Sequence, residues 1–295
     1  MSTASVLYDL PGPRARARNR LFAVLSAALV AGVVAFIAWR FAATGQFSGR
    51  KWSIFQYVAV QETLLRGLLN TLRAAAVAAV LALAFGALFA SARISDHAWV
   101  RGPAALVVEF FRAVPLVILI FFFYYATPSL GVRFSPFWAV VLGLTLYNGS
   151  VLAEVFRAGI LAVARGQSEA AHALGMRKTQ VVRLILLPQA LTSMLPTIVS
   201  QLVVLLKDTA LGFLITYREL LTEARQLASA PNFEYPTIPL ALVVAAIYIA
   251  MCMLLSYVAT RLERRAREGG TRPEMRGLEP DQGGAVVALP IDRGK

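Results

Sequence analysis

Six apolar runs, each close to the roughly 20 residues that cross a bilayer core as a helix, set the outline of this chain: Leu21–Phe41, Leu68–Ala92, Ala104–Tyr125, Phe137–Phe156, Leu191–Ile215 and Ile238–Thr260. Inside a bilayer no water satisfies the backbone, so such runs fold as helices. The expected class is an all-α integral membrane protein with about six transmembrane helices. Composition agrees: 58% of residues are hydrophobic and 15% charged, with a mean hydropathy of +0.65, which excludes an ordinary soluble domain. The first run is long and ends in no small-x-small cleavage pattern, so it reads as a retained anchor rather than a leader.

The net charge of +13 would suit nucleic acid if the basic residues shared a soluble face. They flank the apolar runs instead. Arg14, Arg16, Arg18 and Arg20 precede the first, and Arg261, Arg264, Arg265 and Arg267 follow the last. The bias of Lys and Arg towards the cytoplasmic side then places both termini inside, which six crossings satisfy. No nucleic-acid partner is expected, whereas anionic membrane lipids beside the arginines are. Residues 1–20 read as a flexible basic cytoplasmic arm and 21–41 as an N-terminal transmembrane anchor. Residues 64–260 read as one transmembrane domain, and 268–295, rich in Gly, Pro and charge, as a disordered cytoplasmic tail. Gly45–Glu62 carries Trp52, Phe55 and Tyr57 and reads as an interfacial helix with aromatic anchors. The lone Cys252 allows no disulfide within the chain and reads as a small packing residue.

Between the fourth and fifth runs, residues 166–190 break the pattern. The segment reads as a short helix, a glycine turn and a second helix at the membrane surface. Ser168 is placed to cap the first helix with Glu169 in its first turn, and Gly175 supplies the turn. Val181, Val182, Ile185 and Leu186 then form an apolar face, with Arg177, Lys178 and Arg183 as polar handles. The first helix has too little bulky apolar surface for good lipid binding, so it suits a protein partner.

Glu169-Ala170-Ala171, then Gly175, then Pro188-Gln189-Ala190 resembles the cytoplasmic coupling loop of bacterial ABC importer permeases. Phe111-Arg112-Ala113-Val114-Pro115-Leu116, Glu154-Val155-Phe156-Arg157-Ala158-Gly159-Ile160 and Lys207-Asp208-Thr209-Ala210-Leu211 resemble the polar amino-acid (His/Glu/Gln/Arg) branch of that family. Leu7-Tyr8-Asp9-Leu10-Pro11-Gly12-Pro13 is similar to actinobacterial glutamate-uptake permeases. The resemblance implies the MetI-like permease fold, multi-pass in a bacterial plasma membrane, importing a polar amino acid by alternating access. Glutamate is the expected substrate, with glutamine, aspartate and cystine open. The implied partners are ABC ATPase subunits holding ATP and Mg²⁺, an extracytoplasmic substrate-binding protein, and a second permease. That permease is another copy or a related chain, and the extra first span, arm and tail point to the heterodimer. Gly166, Glu169, Ala170, Ala171, Leu174 and Gly175 are the expected ATPase-coupling residues, with Ala170, Ala171, Ala173 and Leu174 lying in a groove and Glu169 meeting a basic group at its rim.

The chain has no Gly-x-x-x-x-Gly-Lys-Ser/Thr phosphate loop, and its two histidines, His97 and His172, offer neither a metal cluster nor a nucleophile pair. It reads as a transport subunit that binds no cofactor or metal of its own. A gated channel without ATP coupling is the rival, and a membrane enzyme the weakest reading.

Ionisable groups within spans cost about 2.5–3.5 kcal/mol each at a helix centre on insertion scales, which makes them functional suspects. Lys207 and Asp208 lead, towards the outer half of their span, with Thr209 and Gly212 loosening the helix beyond and Pro196 placed to bend it. Lys207 either faces the translocation path and holds a carboxylate, or forms a structural pair with Asp208. Neighbours on a regular helix do not face each other, so both enter one site only if the helix breaks there. Asn70 and Arg73, early in the second span, either line the path or, for Arg73, snorkel to the interface. Arg112 either contributes to the path or pairs with Glu109, and Glu154 and Arg157 form an i,i+3 ion pair with gating as the alternative.

Overall fold

Five of the six apolar runs fall in helical runs of 25 to 38 residues, longer than a bilayer requires. A computed structural model describes residues 12–269. The motif at Leu7–Pro13, save its last two residues, and nearly all of the expected tail lie outside the described residues. In chain order the helices are α1 (Pro13–Ala43), α2 (Gly49–Trp52), α3 (Val58–Arg93), α4 (Ala98–Ala113), α5 (Leu116–Phe121), α6 (Pro136–Leu161), α7 (Arg165–Ala173), α8 (Lys178–Gln180), α9 (Leu187–Asp208), α10 (Leu220–Ala228) and α11 (Thr237–Gly269). Among the described residues, five runs are long and apolar enough to cross a membrane, or six if one bent pair counts as a span.

α6 is the centre. Its buried face meets α3, α5 and α9. On α3, Ala74, Ala78, Ala82, Gly86 and Ala90 recur every fourth residue and are all buried, a ladder of small side chains that lets two backbones approach closely. A Cβ on Gly86 would lie 2.9 Å from Leu152 Cβ, so only glycine fits that crossing. α1 stands apart, with no buried residue; its apolar circumference suits lipid.

Several expectations need correction. Pro13 fits the first turn of a helix, where a missing N–H costs nothing, and α1 therefore starts there. Arg14, Arg16, Arg18 and Arg20 are helical rather than part of a flexible arm. Gly45–Glu62 is not one interfacial helix; it divides into α2, a 3₁₀ turn at Ser53–Gln56 and the start of α3. The expected span Ala104–Tyr125 is broken, because α4 and the stretch Leu116–Leu130 meet at 98°. Pro115 is the cause: its ring drives Val114 out of the helical region, to ψ 127°. Pro128 and Pro188 act more gently. Each follows a π-helical stretch, Phe122–Ala126 and Val181–Leu186, where a wider turn accommodates the carbonyl that the proline ring would meet four residues back. Through the second of these, Lys178–Ile215 forms one membrane-length run that continues across Pro196 without a break.

Candidate functional site

α7 projects from one end of the bundle. Its C-terminus closes as a Schellman turn: Gly175 N–H donates to His172 O at 2.9 Å and Met176 N–H to Ala171 O at 3.2 Å. Gly175 takes φ +78°, the left-handed region glycine enters without a Cβ penalty. The expected cap is corrected, because the helix begins at Arg165 and Ser168 lies inside it, its hydroxyl donating to Arg165 O at 2.9 Å. Gly166, Glu169, Ala170, Ala173, Leu174 and Gly175 are exposed, Leu174 to 83%. Ala171 is not on that surface. It is buried where α7 packs on the π-helical stretch before α9.

The same end carries an ion network. Glu154 accepts from Arg157 Nε at 3.2 Å, the pair the sequence spacing predicts, and also from Arg93 at 2.9 Å. Arg93 reaches Glu109 at 3.6 Å, so three helices are tied together. Arg112 does not pair with Glu109; it is exposed at the end of α4, within electrostatic reach of Glu154. It therefore lies away from the other suspected path residues. Lys178 donates to Ile94 O at 2.9 Å and pairs with Asp96, holding the α3–α4 turn to the start of α8. The hydrogen bond from Lys178 keeps the Asp96 carboxyl below its ordinary range.

α9 is two-faced. Ala190, Met194, Ile198 and Leu205 are buried, while Gln189, Ser193, Thr197, Ser200, Val204 and Lys207 are exposed at steps of three or four. Five of those six are polar, so one stripe of a membrane-length helix is unsuited to lipid tails. Ser193 and Ser200 donate to carbonyls of their own helix at 2.9 Å. Gln201, beside the stripe, donates to the buried Asn148 of α6 at 2.7 Å. Ser200, Val204 and Lys207 share a cleft of about 450 Å³ with Ser256 and Thr260 of α11. Lys207 also borders a second cavity, about 390 Å³, with Arg225 on its wall. Asp208 is half-buried and Thr209 buried, its hydroxyl donating to Leu206 O at 2.6 Å as the helix tightens to 3₁₀ at Thr209–Ile215. Lys207 and Asp208 thus point apart and form no ion pair.

At the far end, α10 lies across α3 and α11, and sequence reasoning missed it. Asn70 holds the turn before it, donating to Arg218 O at 2.8 Å while its own carbonyl accepts from the Tyr217 hydroxyl at 2.9 Å. Burial pushes that hydroxyl up to about 12. Arg73 sits 4.9 Å over the Phe137 ring, a cation–π contact, and no carboxylate among the described residues pairs with it or with Lys207. Glu219 is fully buried at the start of α10. It accepts from Leu221 N–H at 2.8 Å, Thr222 N–H at 2.7 Å, the Thr222 hydroxyl at 2.9 Å and the Tyr248 hydroxyl at 3.0 Å. Gly67 makes the contact possible: a Cβ there would lie 2.9 Å from Leu220 Cα.

The chain is similar to known proteins in sequence and in fold. A family model described as binding-protein-dependent transport system inner membrane component matches residues 82–268. The glutamate transport system permease protein GluD of Corynebacterium glutamicum is 41% identical over 242 residues, 81% of this chain and 88% of that protein. The probable glutamine ABC transporter permease protein GlnP of Bacillus subtilis is 35% identical over 199 residues, 68% of this chain and 91% of its own length. Among solved structures, an amino acid ABC transporter with histidines superposes with a TM-score of 0.66 at 28% identity, covering 72% of this chain and 98% of that one. The inward-facing MetNI methionine ABC transporter, at 22% identity and a TM-score of 0.61, shares the fold over 73% of this chain and 100% of its own.

Proposed function

We propose, because this chain belongs to the family of binding-protein-dependent transport inner-membrane components, that it imports glutamate as one permease subunit of an ATP-driven transporter. At the coarser level it is an amino-acid ABC importer permease, a multi-pass plasma-membrane protein and a transport subunit rather than an enzyme. The observation that carries the mechanism is that α7 packs, through the buried Ala171, on the π-helical start of the unbroken run Lys178–Ile215, which carries the polar stripe of α9. The α7 end faces the cytoplasm. There Gly166, Glu169, Ala170, Leu174 and Gly175 meet an ATPase subunit, whose bound ATP and Mg²⁺ supply the energy. An exposed polar stripe is unstable against lipid, so it faces an aqueous path whose other wall is a second permease.

Support for glutamate comes from two directions. The 41% identical relative is named a glutamate permease, and the far end of the path presents Lys207 and Arg73 with no carboxylate paired to either, while Glu219 is held by N–H and O–H donors and Glu223 by Arg218 at 2.7 Å. That balance favours an acidic substrate delivered by a binding protein. The relative named for glutamine makes that neutral amide the second reading.

The deciding experiment is uptake of labelled glutamate into vesicles carrying this chain with its ATPase, second permease and binding protein, with glutamine as competitor, for wild type and Glu169→Lys. ATP-dependent glutamate uptake that falls at least tenfold in the variant, in a complex that still assembles, is the expected result; a lost coupling contact of about 1.4 kcal/mol already gives that factor. Uptake without ATP, or uptake untouched by Glu169→Lys, sinks the coupling assignment in favour of a channel. Glutamine outcompeting glutamate moves the substrate.

A further inference from the structure

The α7 segment is joined to the bundle by more than its own chain. Lys178 is the first residue of the run that ends at Ile215, and the Arg177 N–H fixes that start by donating to Gln180 Oε1 at 2.9 Å. From there the Lys178 ammonium takes hold of Ile94 O and the Asp96 carboxylate, both in the turn that ends α3. Around the clamp the turn and the helix are separated by a cavity of about 390 Å³ bordered by Ile94, His97, Ile160, Val182 and Arg183. Beside that opening, Lys178 supplies the polar contacts of the junction, while Ile94 and Ile160 pack into the core. Further along, α3 and α9 are linked chiefly through α6, which packs on both.

We propose that Lys178 and Asp96 are positioning residues that deliver the movement of α7 to α3 as well as to α9, a second transmission contact resting on the transport reading above. The two helices lead to different walls of the far-end site. α9 carries Lys207. α3 carries Asn70 and Thr71, which hold the turn before α10 through Arg218 O at 2.8 Å and the Leu220 N–H at 3.1 Å. One clamp at the driven end thus lets a single displacement reach both walls. Neither partner is buried: the Lys178 side chain is 43% exposed and that of Asp96 76%. An exposed pair adds little to stability, so its loss leaves the fold intact and the coupling role separable from a structural one.

The measurement is glutamate taken up per ATP hydrolysed by the complete complex in proteoliposomes, for wild type, Asp96→Asn and the exchange Asp96→Lys with Lys178→Asp. Asp96→Asn is expected to lower that ratio about two- to fivefold, the range over which an exposed ion pair biases an equilibrium, with assembly and ATP hydrolysis unchanged. The exchange raises the ratio above that of Asp96→Asn, because it remakes the ion pair but not the bond to Ile94 O. A ratio equal to wild type in Asp96→Asn overturns the clamp, as does an exchange variant that assembles yet stays as defective as Asp96→Asn. A wild-type complex that takes up no glutamate with ATP overturns the transport reading and the clamp with it, so the two failures are distinct.

Discussion

Both ends of the bundle are held by carboxylates, in opposite ways. At the α7 end, Glu109, Glu154 and Asp96 meet guanidinium or ammonium groups; the side chains of Glu109 and Asp96 are 66% and 76% exposed, and that of Glu154, between Arg93 and Arg157, 26%. At the far end, Glu219 is fully buried and meets N–H and O–H donors only, although its neighbour Glu223, also buried, is paired with the exposed Arg218 at 2.7 Å. Charges at a wet rim exchange partners readily, because water and neighbouring charges replace what is lost. A buried acceptor with four fixed donors has no substitute partner. The α7 end is therefore expected to rearrange more easily, and α10, α3 and α11 to stay together at the far end.

The sharpest way to break this contrast is at Glu219. Replacing it with alanine strands the Leu221 and Thr222 N–H groups in a buried helix start, and we expect a loss of about 2–4 kcal/mol, from unmet buried donors and a missing cap. Glu219→Gln keeps one acceptor oxygen but sets its NH2 against the donors of the other, and is expected to cost about 1–2 kcal/mol, less than alanine. Equilibrium unfolding in mixed detergent reads both. Arg93→Gln comes next, at about 1–2 kcal/mol, because this 13%-exposed guanidinium is shared between two carboxylates but Arg157 remains to hold Glu154. An Arg93→Gln cost larger than that of Glu219→Ala would reverse the assignment of the rigid and the mobile end.

What the sequence could show divides along similar lines. Long apolar runs announce helices by length alone, and Glu154 with Arg157 is legible because three residues on a helix bring side chains together. Arg93 with Glu154 is not, since 61 residues separate them and only the folded bundle supplies the contact. The break at Val114–Pro115 was hidden inside an apolar run, where proline is compatible with either a bent span or a corner. α10 left a usable signal. Leu220, Leu221, Ala224, Leu227 and Ala228 follow the helical period, yet nine residues fall below the length that a search for spans registers. The α9 stripe was likewise written in the spacing from Gln189 to Lys207, but its serines satisfy their hydroxyls on their own helix and so leave a weak signal in an apolar run. In α7 the turn and the outward Glu169 and Leu174 were legible, whereas the inward side of Ala171 depends on a π-helical stretch that local sequence does not reveal.

The smallest expected effect separates the two ends by sign. Burial raises the Glu219 carboxyl above its ordinary value of 4.5, so between that value and the raised one the folded state binds more protons than the unfolded state. Stability from this group consequently grows as pH falls from neutral through the raised value, and levels off below 4.5. Asp96 runs the other way. Its carboxyl is lowered by Lys178 from the ordinary 3.8, so its contribution is present above that value and is lost as pH falls through the lowered one. Unfolding midpoints of wild type minus Glu219→Gln should therefore climb on mild acidification, whereas wild type minus Asp96→Asn should stay flat until pH drops below 3.8 and then shrink. Salt sharpens the distinction, because it screens the exposed Asp96 pair and leaves the buried Glu219 difference in place. Equal salt sensitivity of the two differences would mean that Glu219 is reached by solvent, and the far end would lose its claim to be the fixed one.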